Sequence, residues 1–174
     1  MLDEQRIQLA LWNILVLGNF AVIPNVSWSW FPWETDLVVI TKARYVHEYE
    51  IKISHSDFKA DFKKRKHYRL RNIRKTDMNA RTPNYFWYVA PIKAIPICIP
   101  EYAGLIEVQG DRYGLELVKV KRPRLLHRTK LSEHGIKQVM RSLMYKYWNI
   151  ARDRDIWKIQ RELFKKEWGD TYYD

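Results

Sequence analysis

Two apolar runs separated by four residues constrain this chain most. DLVVIT (36–41) and VHEYEIKIS (46–54) are rich in β-branched and aromatic residues, and KARY between them suits a hairpin connection. The second run carries Glu50 and Lys52, which strand alternation puts on one face. A charge buried in an apolar strand is costly unless it is paired or holds a metal. If KARY makes the turn, Asp36 at the start of the first strand approaches Glu50 in the second. Two carboxylates and a lysine so gathered suit metal-assisted phosphodiester hydrolysis. The carboxylates offer oxygen to a hard cation such as Mg²⁺ or Mn²⁺, and the lysine orients water or offsets charge in the transition state.

The elements around this hairpin are legible from period and punctuation. Asp3 caps a helix from Glu4, with Ile7, Ala10, Leu11, Ile14 and Leu15 on one face and Gly18 at its C-terminal end. FAVIPNVSWSW follows as an edge or bulged strand, because Pro24 cannot donate to a ladder. After the hairpin, Ser54 to Asp57 offer caps for a helix over DFKADFKKRKHYRL. NYFWYVAP is a further strand, the prolines of PIKAIPICIPEYAG exclude a helix there, and LIEVQ and LELVKVK flank GDRYG as a second hairpin. Two amphipathic helices are expected at the C-terminal end, one opening at Ser132 and one over 154–168. The fold class is α/β, a small mixed sheet flanked by helices. The predicted division is a core over 1–125 and a helical extension over 126–174, docked on the core or on a partner such as a second copy of the chain.

Charge limits the function classes. The 174 residues carry a formal net charge of +11, so the partner is expected to be a polyanion. Lys59, Lys63, Lys64, Arg65, Lys66, Arg69, Arg71, Arg74 and Lys75 follow the acidic strand, with only Asp57 and Asp61 against them. That track suits DNA phosphates, and Arg122, Arg124 and Arg128 extend it. Asp57 and Asp61 read as helix-capping and lysine-pairing residues. His47, His55 and His67 lack metal-ligand spacing. HEYEI departs from the zinc-protease pattern at Ile51, where a second His is needed. Cys98 is the one cysteine, which excludes an intrachain disulfide, and it reads as a packed small hydrophobe. No apolar run has the length of a membrane span, and the polar MLDEQR start differs from a secretory signal, so a cytoplasmic location is expected.

Asp36, followed across a hairpin by Glu50-Ile51-Lys52, resembles the PD-(D/E)XK nuclease superfamily. The similarity is to a small phage and bacterial branch linked to DNA repair, with matches at YEIKISHSDFKADFKKRKHYR, FWYVAP and IPEYAGLIEV over about residues 4–125. It implies a restriction-endonuclease-like core and a Mg²⁺- or Mn²⁺-dependent deoxyribonuclease acting in DNA processing or repair, alone or with a phage or host partner. Asp36, Glu50 and the Ile51 carbonyl would hold metal, Lys52 would be the catalytic lysine, and Glu4 on the first helix an additional acid. Thr35 stands where the family's proline would, and Glu34 competes as a ligand. Alternatives are an inactive DNA-binding protein on the same fold and an RNA- or membrane-surface-binding module driven by charge.

Overall fold

The computed structural model describes residues 3–26, 31–74, 81–92, 94–95, 99–110 and 114–168. The expectations for Lys75, for Cys98 and for the tip of GDRYG fall outside these residues. The chain divides into two units, Met1–Ser132 and Glu133–Asp174.

The first unit is an α/β sandwich around a six-stranded mixed sheet. In chain order its elements are α1 (Glu4–Leu15), β1 (Ala21–Val26), β2 (Thr35–Ile40), β3 (Val46–Ile51), α2 (His55–Asp61), α3 (Arg65–Asn72), β4 (Tyr85–Pro91), β5 (Ala103–Gly110) and β6 (Leu115–Lys121). The strands lie in sequence order across the sheet. β1 to β3 form an antiparallel meander, β3, β4 and β5 run parallel, and β6 returns antiparallel to β5. β1 lies at the edge, where the missing N–H of Pro24 is tolerated.

Alternation divides the strand residues between two cores. Leu37, Tyr49, Ile51, Trp87 and Val89 pack with Ile7 and Leu11 of α1 on one face. Phe86, Tyr88 and Leu105 pack with Phe58 of α2 and Leu70 of α3 on the other. Glu48 and Glu50 stand beside Phe86 and Tyr88 in the parallel register, so the charged residues of β3 belong to the α2–α3 face.

Local chemistry explains the ends of these helices. Asp3 caps α1 by accepting from the Arg6 N–H at 2.9 Å. The expected terminator, Gly18, is not in the left-handed conformation, since Gly110 is the glycine with positive φ among the described residues. Instead the Asn19 side chain donates to the Leu15 carbonyl at 2.8 Å, satisfying an acceptor at the helix end. Ser54 caps α2 through the Asp57 N–H. The single helix expected over DFKADFKKRKHYRL is two, because Lys64 is extended, with ψ of 138°. Nothing in local propensity breaks the chain there; Lys64 turns to place its ammonium on Asp61 and Glu50.

The second unit is one helix, α4 (Glu133–Trp168). The expected pair of helices is therefore continuous. The joining residues NIARD contain neither Gly nor Pro, so no breaker interrupts the helix. No helix among the described residues is long and apolar enough to cross a membrane.

Candidate functional site

The hairpin register sets the acidic pair face to face. Leu37 pairs with Tyr49 and Val38 with Glu48, and the next step of that register sets Asp36 opposite Glu50. The ladder ends there in a side-chain contact: the Ile51 N–H donates to Asp36 Oδ2 at 2.7 Å. In an extended strand the N–H and C=O of one residue leave on the same side. The Lys52 N–H goes to Val89 on β4, so the Ile51 carbonyl faces the β2 side, beside Asp36. Thr35 is buried and its hydroxyl donates to the Val26 carbonyl at 3.1 Å, tying β2 to β1 directly before the acid.

Glu4 is exposed, yet connected to this position. Gln8, buried on α1, has its amide nitrogen 3.0 Å from Glu4 Oε1, 2.8 Å from Asn25 Oδ1 and 3.0 Å from the Asp36 carbonyl. Burial pushes the Asp36 carboxyl up to about 7, with repulsion from Glu50 and Glu4 adding to it and the Ile51 N–H opposing. The acidic group is thus short of positive charge on the Asp36 side.

On the Glu50 side charge is abundant. Glu50 is 1% exposed. Lys52 Nζ lies 2.7 Å from Glu50 Oε1 and Lys64 Nζ 3.1 Å from the same oxygen, while Lys66 donates to Oε2. Burial alone would lower the Lys52 ammonium, but its ion pair and hydrogen bond with Glu50 prevail and raise it. Lys52 is therefore a cation at neutral pH, suited to charge stabilisation and not to general-base work.

Asp61 anchors the same cluster from α2. Its Oδ1 lies 2.7 Å from Lys64 Nζ and 3.4 Å from Lys52 Nζ. Its Oδ2 pairs with His67 Nε2 at 2.6 Å and accepts from the Tyr88 hydroxyl at 3.1 Å, and His67 Nδ1 meets the Tyr102 hydroxyl at 2.8 Å. Burial would raise the Asp61 carboxyl, but the bonds to His67 and the lysines hold it well below the usual carboxylate range. The expected pairing of Asp61 with neighbouring lysines is present, with Lys64 three residues on, but the cap of α2 is Ser54, and Asp61 is 1% exposed. Its i, i+4 relation to Asp57 gave no signal of burial, and the tyrosines that close the cluster are Tyr88 on β4 and Tyr102 directly before β5.

The basic track separates into two groups. Lys59, Lys63, Lys64, Arg65, Arg69, Arg71 and Arg74 are exposed. Lys66 is not: it is 3% exposed, and its ammonium is committed to Glu50 and approaches Glu48 at 3.6 Å. Its expected place among surface phosphate contacts is thus corrected, because α3 turns it inward. Glu48, to which the sequence pattern gives no role, is fully buried and accepts from Trp33 Nε1, 3.1 Å from both of its oxygens.

A hard cation suits this donor set in part. Asp36, Glu50 and the Ile51 carbonyl are all oxygen donors, and the raised Asp36 carboxyl is a group that a cation would relieve. Among the described residues, however, no three His, Cys, Asp or Glu side chains converge as a metal-binding group. The set that fits is two carboxylates with a main-chain oxygen.

No protein-family model and no curated protein matches the chain. One solved structure does, SPO1766, a protein of unknown function from Silicibacter pomeroyi. The two share 16% identity with a TM-score of 0.54, over 100% of this chain and 99% of the other. The likeness is one of fold.

Proposed function

We propose that the chain is a metal-dependent DNA nuclease of PD-(D/E)XK type, acting in phage or bacterial DNA processing or repair. The observation that carries this reading is the Asp36–Glu50 register, with Lys52, directly after the end of β3, hydrogen-bonded to Glu50. The sequence pattern shared with a DNA-repair-associated branch of that superfamily supports the setting. Asp36, Glu50 and the Ile51 carbonyl would hold Mg²⁺ or Mn²⁺, which supplies a Lewis acid for phosphate oxygen. Lys52 places a permanent cation where negative charge grows on the phosphoryl group during in-line attack by water. Asp61 and its partners hold Lys52 and Lys64 in place. The exposed cations of α2 and α3 bind the flanking phosphates.

Purified protein should cleave DNA with Mg²⁺ or Mn²⁺, stop on chelation, and lose cleavage in Lys52→Ala and in Glu50→Ala. Cleavage that survives both substitutions, or that ignores chelator, rules out this site.

A second reading, a DNA-binding protein without catalysis, also has a specific observation behind it. Both Glu50 oxygens already meet ammonium groups. Under that reading DNA binding falls with salt, no substrate is cleaved, and Mn²⁺ does not bind near Asp36.

A further inference from the structure

Beside Glu50 lies a cleft of about 580 Å³, lined by Trp33 and Glu34 from the segment before β2 and by Lys64, Arg65, Lys66 and Arg69 at the start of α3. Resting on the nuclease reading of the Glu50 site, we propose that this cleft receives an unpaired nucleotide of a DNA strand, its base against Trp33 and its phosphates at Arg65 and Arg69. The substrate is then single-stranded or frayed DNA in preference to intact duplex.

Five observations converge on that class of ligand. The cleft has the volume of a small-molecule site, which one nucleotide enters and a stacked duplex does not. Trp33 is half-buried and fixed: its N–H is held by Glu48, and its ring stacks on Phe31 with centroids 5.8 Å apart and planes 4° from parallel. An aromatic ring so held is a sequence-tolerant platform for a base that has left its stack.

Arg65 and Arg69 are exposed, one helical turn apart, and no ion pair among the described residues involves them. Their charge is available for phosphate. Glu34 repels phosphate but can accept from a base N–H, an amino group or the thymine imide, which suits the base end of a nucleotide. Lastly, Lys64 and Lys66 line the cleft and also reach Glu50. A strand in the cleft is therefore one side chain away from the acidic site.

The test is fluorescence anisotropy with a labelled oligodeoxythymidine and a labelled blunt hairpin duplex, in EDTA, on the full chain and on Trp33→Ala, Trp33→Phe and Arg69→Ala. The wild type should prefer the single strand. Trp33→Ala should weaken that binding by about 5- to 150-fold, and Trp33→Phe should restore most of it. Arg69→Ala should weaken both ligands. If the phenylalanine variant binds as poorly as the alanine variant, Trp33 acts only by holding Glu48 and the cleft assignment falls. It falls also if the wild type holds duplex as tightly as single strand, or holds oligouridine far more tightly than oligodeoxythymidine. Cleavage assays with Mn²⁺ on the same proteins separate this from the nuclease reading. Trp33-dependent single-strand binding without cleavage removes the nuclease and keeps the cleft. Duplex cleavage indifferent to Trp33→Ala removes the cleft and keeps the nuclease.

Discussion

The main-chain N–H of Ile51 donates to Asp36 Oδ2 at 2.7 Å, so the acid of β2 closes the end of the β2–β3 ladder. This bond steadies an ionised Asp36, but burial and Glu50 prevail and push the carboxyl up to about 7 from 3.8. For an acid raised in the fold, stability is full below the unfolded value and is lost as pH rises towards the folded one. In metal-free buffer Asp36→Asn should therefore raise the thermal midpoint at pH 8 and leave it nearly unchanged at pH 4. Mn²⁺ at a hundredfold excess over its dissociation constant should stabilise the wild type by about 2.7 kcal/mol at pH 8, and less at pH 5. Differential scanning fluorimetry reads both effects. A Mn²⁺ shift that persists in Asp36→Asn places the cation elsewhere.

Lys66 and Lys63 are three residues apart in sequence and differ in consequence. The Lys66 ammonium sits among Glu50, Glu48 and Asp61 with 3% exposure. Lys66→Met leaves buried carboxylates with less compensation, which should cost about 3 kcal/mol, at the low end for a broken buried pair because Lys52 and Lys64 remain. Lys63 is exposed, and Lys63→Ala should leave the urea midpoint in place. Equal midpoints for the two variants would show that Lys66 is not held as described.

The contrast between these lysines marks how far the sequence could be read. Strand alternation and turn chemistry located β2, β3, β4 and the β5–β6 hairpin, because period and punctuation are local signals. The Asp36–Glu50 register was legible for the same reason, as a short connection fixes which residues face each other. Asp61, Lys66 and His67 were not legible as buried groups. Their burial follows from the break at Lys64 and from Tyr88 on β4 and Tyr102 before β5, both far along the chain. A charge run reads as solvated until tertiary partners are known. The continuity of α4 failed for a different reason: its apolar period drifts, and a change of face resembles a change of helix.

Gly104 is packed more tightly than Gly18 or Gly114. A Cβ there would lie 2.6 Å from Trp87 Cε3 and 2.9 Å from the Pro123 nitrogen. Trp87 stacks on Tyr49, next to Glu50 in β3, and main-chain atoms of Pro123 cannot rotate away. Gly104→Ala should therefore destabilise by about 1–3 kcal/mol, the range for overpacking. Gly18, where a Cβ meets open space, is the control: Gly18→Ala should gain about 0.4–1 kcal/mol by restricting the unfolded chain. Chemical denaturation curves at one pH compare the two.

Glu48 makes a separate pH dependence. Burial pushes its carboxyl up to about 8; Lys66 opposes this, and Glu50 adds to it. Folding then takes up a proton between about pH 4.5, the unfolded value, and pH 8. Stability attached to this group declines as pH rises through that window. Glu48→Gln keeps the shape and an acceptor for the Trp33 N–H, so it should flatten the decline and be the more stable protein above pH 8. Urea midpoints across the window test this. A variant less stable than wild type at every pH would show that Glu48 acts as a charged partner of Lys66.

The exposed cations make a graded prediction for DNA. Each phosphate contact removed should lower the steepness of log K against log salt by about 0.9 for duplex and about 0.7 for single strands. Arg65→Ala and Arg69→Ala should each remove about one such contact, as should Lys59→Ala or Arg71→Ala where that residue touches the backbone. Lys66→Met should leave the slope unchanged even where it weakens binding, because its ammonium belongs to Glu50 and not to the surface. Anisotropy titrations between about 50 and 200 mM salt resolve differences of this size. If Lys66→Met lowers the slope as Arg69→Ala does, the buried pair opens in the complex and Lys66 reaches DNA. If no substitution lowers it, the polyanion lies on another face of the chain.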